Sequence, residues 1–169
     1  MSAPLGYSQG SGAISGIKRI FATQLSDLDT FDKEGVGTLR QEGNKKYKYV
    51  RFVPGTATIA IVAGTAVAYK TISSMTVTAD SSDCLASGLL GAGMAVAAQA
   101  GTATLFGWIQ VKGLVTAMPN AASGAAGNGL IMGTDGLLAV EAASTVGGRV
   151  ATMIDATGGA NKVFAHFPY

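Results

Sequence analysis

Between Asp83 and Lys112 the chain carries 28 consecutive uncharged residues, and this run limits what the rest can fold into. A helix crossing a bilayer needs about 20 apolar residues, so length alone would permit one. Composition argues against it: glycines at 88, 91, 93, 101 and 107, together with Gln99, interrupt the run, and its many alanines insert weakly. Strand, turn, strand is the expected outcome. Met94, Val96 and Ala98 would alternate on one side, and Gln99 to Thr102 would turn. Phe106 to Val111 would return with Trp108 and Gln110 opposite Ile109 and Val111.

A chain of 169 residues is long enough for one core plus an appendage. Charged residues make up only 13%, about half the usual share, so a free domain would leave much uncharged surface in water. Ala and Gly dominate and aromatics are 7%, so each residue buries little area at roughly 25 cal/mol per Å². Burial between chains, in an oligomer or on a larger lattice, is the expected remedy. The net charge of +2 is too small to imply a polyanionic partner. Its distribution is uneven, since 13 of the 22 charged residues precede Pro54. The single cysteine, Cys84, excludes an intramolecular disulfide, and Met1 to Gly16 lacks the basic and apolar regions of a signal peptide. Synthesis in a cytoplasm is the expectation.

Met1 to Gly16, which includes Tyr7, is rich in Gly, Ser and Ala and reads as a flexible leader that orders on a partner. Ile17, Ile20, Phe21, Leu25 and Leu28 then fall at helical spacing behind a candidate N-cap at Ser15. Such an apolar stripe would pack either on its own domain or on a neighbour. Gly35 and Gly37 end this element, and Thr38 to Gln41, the turn Glu42-Gly43-Asn44 and Lys45 to Val53 spell a hairpin. On its second strand Tyr47, Tyr49, Arg51 and Val53 share one face, and Lys46, Lys48, Val50 and Phe52 the other. Three readings fit Lys45 to Arg51: an edge strand guarded by lysines, contact with an acidic protein surface, or a single-stranded nucleic-acid site.

Beyond Pro54-Gly55, strand patterns recur with glycine turns between them. They cover Thr58–Val62, Ala66–Lys70, Met75–Ala79, Ala92–Ala98, Thr104–Val111, Leu114–Ala117, Leu130–Met132, Leu137–Ala142, Arg149–Ile154 and Lys162–Phe167. An uncharged loop, Ala117 to Asn128, separates the sixth from the seventh. The expected fold is mainly β, a sandwich or barrel-like antiparallel domain over residues 36–169. An arm over residues 1–35, extended or partly helical, precedes it.

No residue set spells out catalysis. His166 is the only histidine and has no evident partner, and Cys84 follows Asp83 without a spaced His or Asn. Glycines 127, 129 and 133 miss the dinucleotide spacing by one position. Asp27, Asp29, Asp32 and Glu34 fail the calcium-loop pattern, because Phe31 occupies the third ligand place. Caps, turns and surface pairs are the expected roles. No enzyme activity, cofactor, metal or small-molecule substrate is therefore expected.

The order of motifs resembles the small head-decoration, or cement, proteins of tailed bacteriophages. The carrying residues are Gly37-Thr38, Glu42-Gly43-Asn44 into Tyr47-Lys48-Tyr49-Val50-Arg51, Gly64-Thr65-Ala66-Val67 and Val77-Thr78-Ala79-Asp80. They continue through Ala92-Gly93-Met94-Ala95, Gly101 and Trp108-Ile109-Gln110-Val111-Lys112-Gly113, and together span roughly Val36 to Gly136. The resemblance implies a β-rich, often trimeric domain on the outside of an icosahedral capsid, bridging major capsid protein subunits. Candidate contacts with capsid or sister subunits are then Tyr7, Ile17, Ile20, Phe21, Leu25, Lys45, Lys46, Tyr47, Lys48, Arg51 and Trp108. A self-assembling tail-tube or surface-layer subunit would suit the same composition. Neither reading involves a membrane, and nucleic acid is a distant third.

Overall fold

Large side chains occupy both faces of Lys45–Phe52, which marks a strand covered on both sides rather than one with a wet face. The computed structural model describes residues 20–84, 90–118, 124–142, 148–155 and 161–168. Its strands are β1 (Leu28–Asp29), β2 (Leu39–Glu42), β3 (Lys45–Phe52), β4 (Ala66–Thr71), β5 (Thr76–Thr78) and β6 (Gly91–Ala95). They are followed by β7 (Leu105–Met118), β8 (Gly129–Met132), β9 (Leu138–Val140), β10 (Ala151–Asp155) and β11 (Asn161–His166). One 3-10 turn, Ser81–Asp83, interrupts them. Tyr7, Ile17, the leader and part of the 117–128 loop lie outside the described residues.

The strands β3, β5, β4, β6 and β7 are paired in that order, and β7 pairs back onto β3, closing a five-stranded barrel. The mainly β, barrel-like expectation holds. One pair departs from the antiparallel pattern: β3 and β5 run parallel, with Arg51 opposite Thr76 and Phe52 opposite Val77. The barrel interior takes Val50, Phe52, Val67, Val77 and Ile109, all buried. Outside the barrel, β7, β11, β10, β8 and β9 form a second sheet in that order. Its inner side chains, among them Val115, Leu130, Met153 and Val163, join the same apolar cluster as the barrel. Ala66 N donates to Gly136 O at 3.0 Å and Phe167 N to Val111 O at 2.9 Å, tying the two parts together.

The sequence pattern divides β7 at Lys112-Gly113, yet the strand is continuous over 14 residues, about 45 Å at the usual rise. Gly113 is why it survives the division. It sits at φ +102, and a Cβ there would lie 3.0 Å from Asn44 O and 3.1 Å from Lys45 Cγ, so only glycine lets β3 pass this close. One edge of β7 meets β3, while the other meets β1, then β6, then β11.

Three expectations are corrected here. Residues 20–35 form turns and the short β1, with no helical residue. The helical spacing of their apolar residues arises instead because successive turns feed two clusters: Phe21 and Leu25 pack around Trp108, and Leu28 packs on the main core. Residues 58–62 contribute only an isolated bridge, Ile61 to Gln99, in place of a strand. Lastly, β3 is no edge strand, since it pairs with β2, β5 and β7.

Asp80 secures the loop after β3. It is buried between the 55–57 loop and the 3-10 turn, and its carboxylate accepts from Ser82 Oγ (2.6 Å), Ser82 N (2.9 Å) and Ala57 N (2.7 Å). The Ser82 hydroxyl first, then the Ala57 amide, hold its pKa below the ordinary value against the opposing effect of burial. A depressed carboxylate stabilises the fold above the unfolded pKa, about 3.9, and that contribution disappears as pH falls through the lower folded value. Asp80→Asn is expected to lower the urea midpoint at neutral pH and to flatten its decline below about pH 4. An unchanged acid limb in the variant would show that Asp80 does not drive it.

Candidate functional site

On the outer side of β3 and β7 a second apolar cluster forms around Trp108, Tyr47 and Tyr49. Alternation places it there, because Tyr49 stands opposite Trp108 and Tyr47 opposite Gln110 in the ladder, each pair sharing a face. Trp108 is 1% exposed. Phe21 meets it edge-on at 5.4 Å between centroids, and Tyr49 at 5.1 Å, arrangements that favour the ring quadrupoles. The Trp108 indole N–H donates to Thr23 Oγ1 at 2.9 Å.

Residues 21–40 close over this cluster through a short chain of polar contacts. Thr23 N (2.8 Å) and Thr23 Oγ1 (2.9 Å) both donate to Glu34 Oε1, and Glu34 is itself buried. Arg40 donates to Thr23 O at 2.9 Å and pairs with Glu42. Its guanidinium stacks 4.9 Å from the Phe21 ring centroid and 5.7 Å from Trp108. The segment is thus a clasp, riveted at Thr23 and roofed by Arg40. Burial raises the Tyr49 hydroxyl to about 12. The Lys33 backbone N–H, outside strict hydrogen-bond geometry, opposes this, and the charges of Asp29, Asp32 and Glu34 add to it. Tyr47 is likewise raised, by burial first and then by Glu42.

The acidic residues of this region serve the clasp. Asp27 accepts from Gln24 N, Asp32 accepts from Gly35 N and Val36 N, and Asp29 pairs with Lys33. These are the turn and pairing roles expected from their spacing. At the other end of the fold, Cys84 Sγ lies 3.2 Å from Asp80 O. Burial and the nearby charges of Asp80 and Asp83 push its thiol up to about 11, which keeps it protonated and weakly nucleophilic at neutral pH.

The candidate contact residues divide by exposure. Ile20 is 93% exposed at the start of the clasp, and Arg51 is exposed on β3, with Lys45 and Lys46 half-buried at the hairpin. Phe21 and Leu25 are half-covered on Trp108. Trp108, Tyr47 and Lys48 are buried and present no side-chain surface to another molecule. Lys48 points into the barrel, is 5% exposed and donates from Nζ to Tyr69 O–H at 2.9 Å. The Tyr and Lys residues that alternate in sequence therefore do not form a stacking platform. Both rings are buried and one lysine is internal.

Sequence reasoning missed Thr23, Glu34 and Arg40, whose partners lie up to 85 residues away. The available signal was Tyr47 and Tyr49 opposite Val50 and Phe52, four large side chains that leave neither face of the strand for water. These observations define a mainly β protein with a closed five-stranded barrel, a second sheet and an N-terminal clasp. No family model, curated protein or solved structure matches the chain.

Proposed function

We propose that this chain is a non-enzymatic structural component of a virion. In this reading it is made in the host cytoplasm, binds the outer surface of an icosahedral phage capsid, and bridges and stabilises neighbouring major capsid protein subunits. One observation supports the reading beyond the motif resemblance: residues 21–34 are pinned to the barrel through Trp108, which gives whatever precedes the exposed Ile20 a fixed point of attachment. An anchored departure point suits an arm that reaches a neighbouring subunit. Low charge and the exposed apolar Ile20 suit a protein whose surface is finished by assembly, as a trimer seated on a shell. Binding the assembled shell in preference to loose subunits would stabilise it by linkage, and many copies would add by avidity.

Deleting Met1 to Gly16 is expected to leave the thermal midpoint within a few degrees while reducing occupancy on expanded capsids at least tenfold, read by sedimentation with the particles. Undiminished occupancy would remove the arm from the proposal. Failure of the intact protein to bind capsids would remove the proposal itself. The tail-tube or surface-layer alternative predicts rings or filaments from purified protein, whereas a discrete trimer supports the capsid reading. Strands β2 and β9, which end the pairing path, are only 4 and 3 residues long. They offer little template for growth edge to edge.

A further inference from the structure

A cleft of about 180 Å³ opens where the outer face of the barrel meets the far half of β7. Met94 on β6 and Gln110 on β7 stand opposite each other in its wall, joined by Val96, Val115, Thr116 and, from the start of β3, Lys45. Met94 and Val115 are buried and Val96 is half-buried, so one side of the cleft is apolar. A mostly apolar lining with a few convergent polar groups is the usual make-up of a small-molecule site.

Two polar groups here lack partners. Gln110 is 7% exposed, and its Nε2 donates to Lys112 O at 3.3 Å and to Leu114 O at 3.2 Å. These bonds fix the carboxamide and use both of its hydrogens, while no donor among the described residues reaches its Oε1. Nor is that oxygen sealed in the core, where the unpartnered side-chain atoms are Asp29 Oδ2, Tyr49 Oη and Gln99 Oε1. An unpaired acceptor on so buried a side chain is costly unless water or a ligand supplies a donor, and the cleft is the space that Gln110 lines. Lys45 is the second group. It is half-buried, and its ammonium meets no carboxylate among the described residues, since Glu42, its neighbour across the hairpin, pairs with Arg40.

We infer that this cleft binds a small hydroxy acid with an apolar side chain: its carboxylate at Lys45, its hydroxyl donating to Gln110 Oε1, and its chain on Met94, Val96 and Val115. Each part answers one feature of the lining. A bare inorganic anion would leave the apolar wall facing water, a hydrocarbon would leave Oε1 without a donor, and an amine would add a second cation to the cleft that holds Lys45. Size sets a further limit. A cavity of about 150 Å³ takes a benzene-sized molecule, so the ligand has about six to nine non-hydrogen atoms. The inference goes beyond the capsid reading and does not rest on it.

The test is an NMR titration of the full-length protein with three probes of one carbon skeleton: 2-hydroxy-3-methylbutanoate, 3-methylbutanoate and 3-methylbutylamine. The expected result is saturable shifts centred on Gly64, Ala95, Val96 and Thr116 with the hydroxy acid. Binding should be about fivefold weaker for the acid without the hydroxyl, the worth of one neutral hydrogen bond, and absent for the amine. Lys45→Gln is expected to weaken the hydroxy acid by about tenfold or more, as loss of a charge-assisted contact does. Ala63→Phe is expected to abolish its binding by filling the cleft from the exposed turn at its border. Both variants are checked for an unchanged thermal midpoint. Absence of saturable shifts, shifts centred elsewhere, equal affinity for the two acids, binding of the amine, or an unaffected Lys45→Gln variant would each overturn the inference.

Discussion

Trp108→Ala is expected to destabilise the protein by about 3–5 kcal/mol, the usual cost of truncating a buried large aromatic. The indole is fully enclosed, and removing it strips the edge contacts with Phe21 and Tyr49 and leaves the Thr23 hydroxyl without its donor. Two further readouts separate the clasp from the barrel. Trp108→Phe keeps most of the apolar volume but not the N–H, so its loss should be close to the net worth of one hydrogen bond, about 1 kcal/mol. Native-state hydrogen exchange should show faster exchange at residues 21–34 in both variants, with the amides of β4 and β6 protected until global unfolding. Uniform acceleration across barrel and clasp would mean that the two unfold as one unit, contrary to this expectation.

Gly101→Ala is the second large effect. Gly101 lies just past the Gln99 bridge to Ile61 at φ +73, and an added Cβ would come within 2.2 Å of the Ile59 carbonyl oxygen. Backbone cannot swing aside as a long side chain can. The left-handed conformation costs an L-residue about 1–2 kcal/mol, and overpacking adds about 1–3 kcal/mol more. The measured loss in urea unfolding is therefore expected near 2–5 kcal/mol for a single methyl group. The control is Gly127→Ala, also at positive φ but with open space around the Cβ, which should lose only the conformational part. Equal losses at the two sites would show that the Ile59 contact carries no weight.

Much of the β framework is legible in the chain because alternation and glycine turns are local signals. The Gly43-Asn44 turn and the patterns for β4, β5, β8, β9, β10 and β11 all reappear within a residue or two. What could not be read locally depended on partners distant in sequence. The parallel pairing of β3 with β5 follows from barrel closure, which no short window contains. The continuity of β7 through Gly113 depends on how closely Lys45 passes, and an isolated glycine reads as a break instead. Lys48 looks like a solvated charge until Tyr69, 21 residues later, supplies an acceptor inside the barrel. Phe21 and Leu25 were legible as apolar anchors, but their spacing suggested a helix because a turn that repeatedly returns to Trp108 produces the same interval.

Because β7 belongs to both sheets, the barrel and the outer sheet share an unbroken length of backbone in place of a linker. A pull applied to β11 reaches β3 through consecutive cross-strand ladders on the two edges of that strand, with no hinge for the load to open first. The molecule should therefore behave under tension as a rigid strut, giving way in one high-force event in single-molecule pulling rather than in separate steps for each sheet.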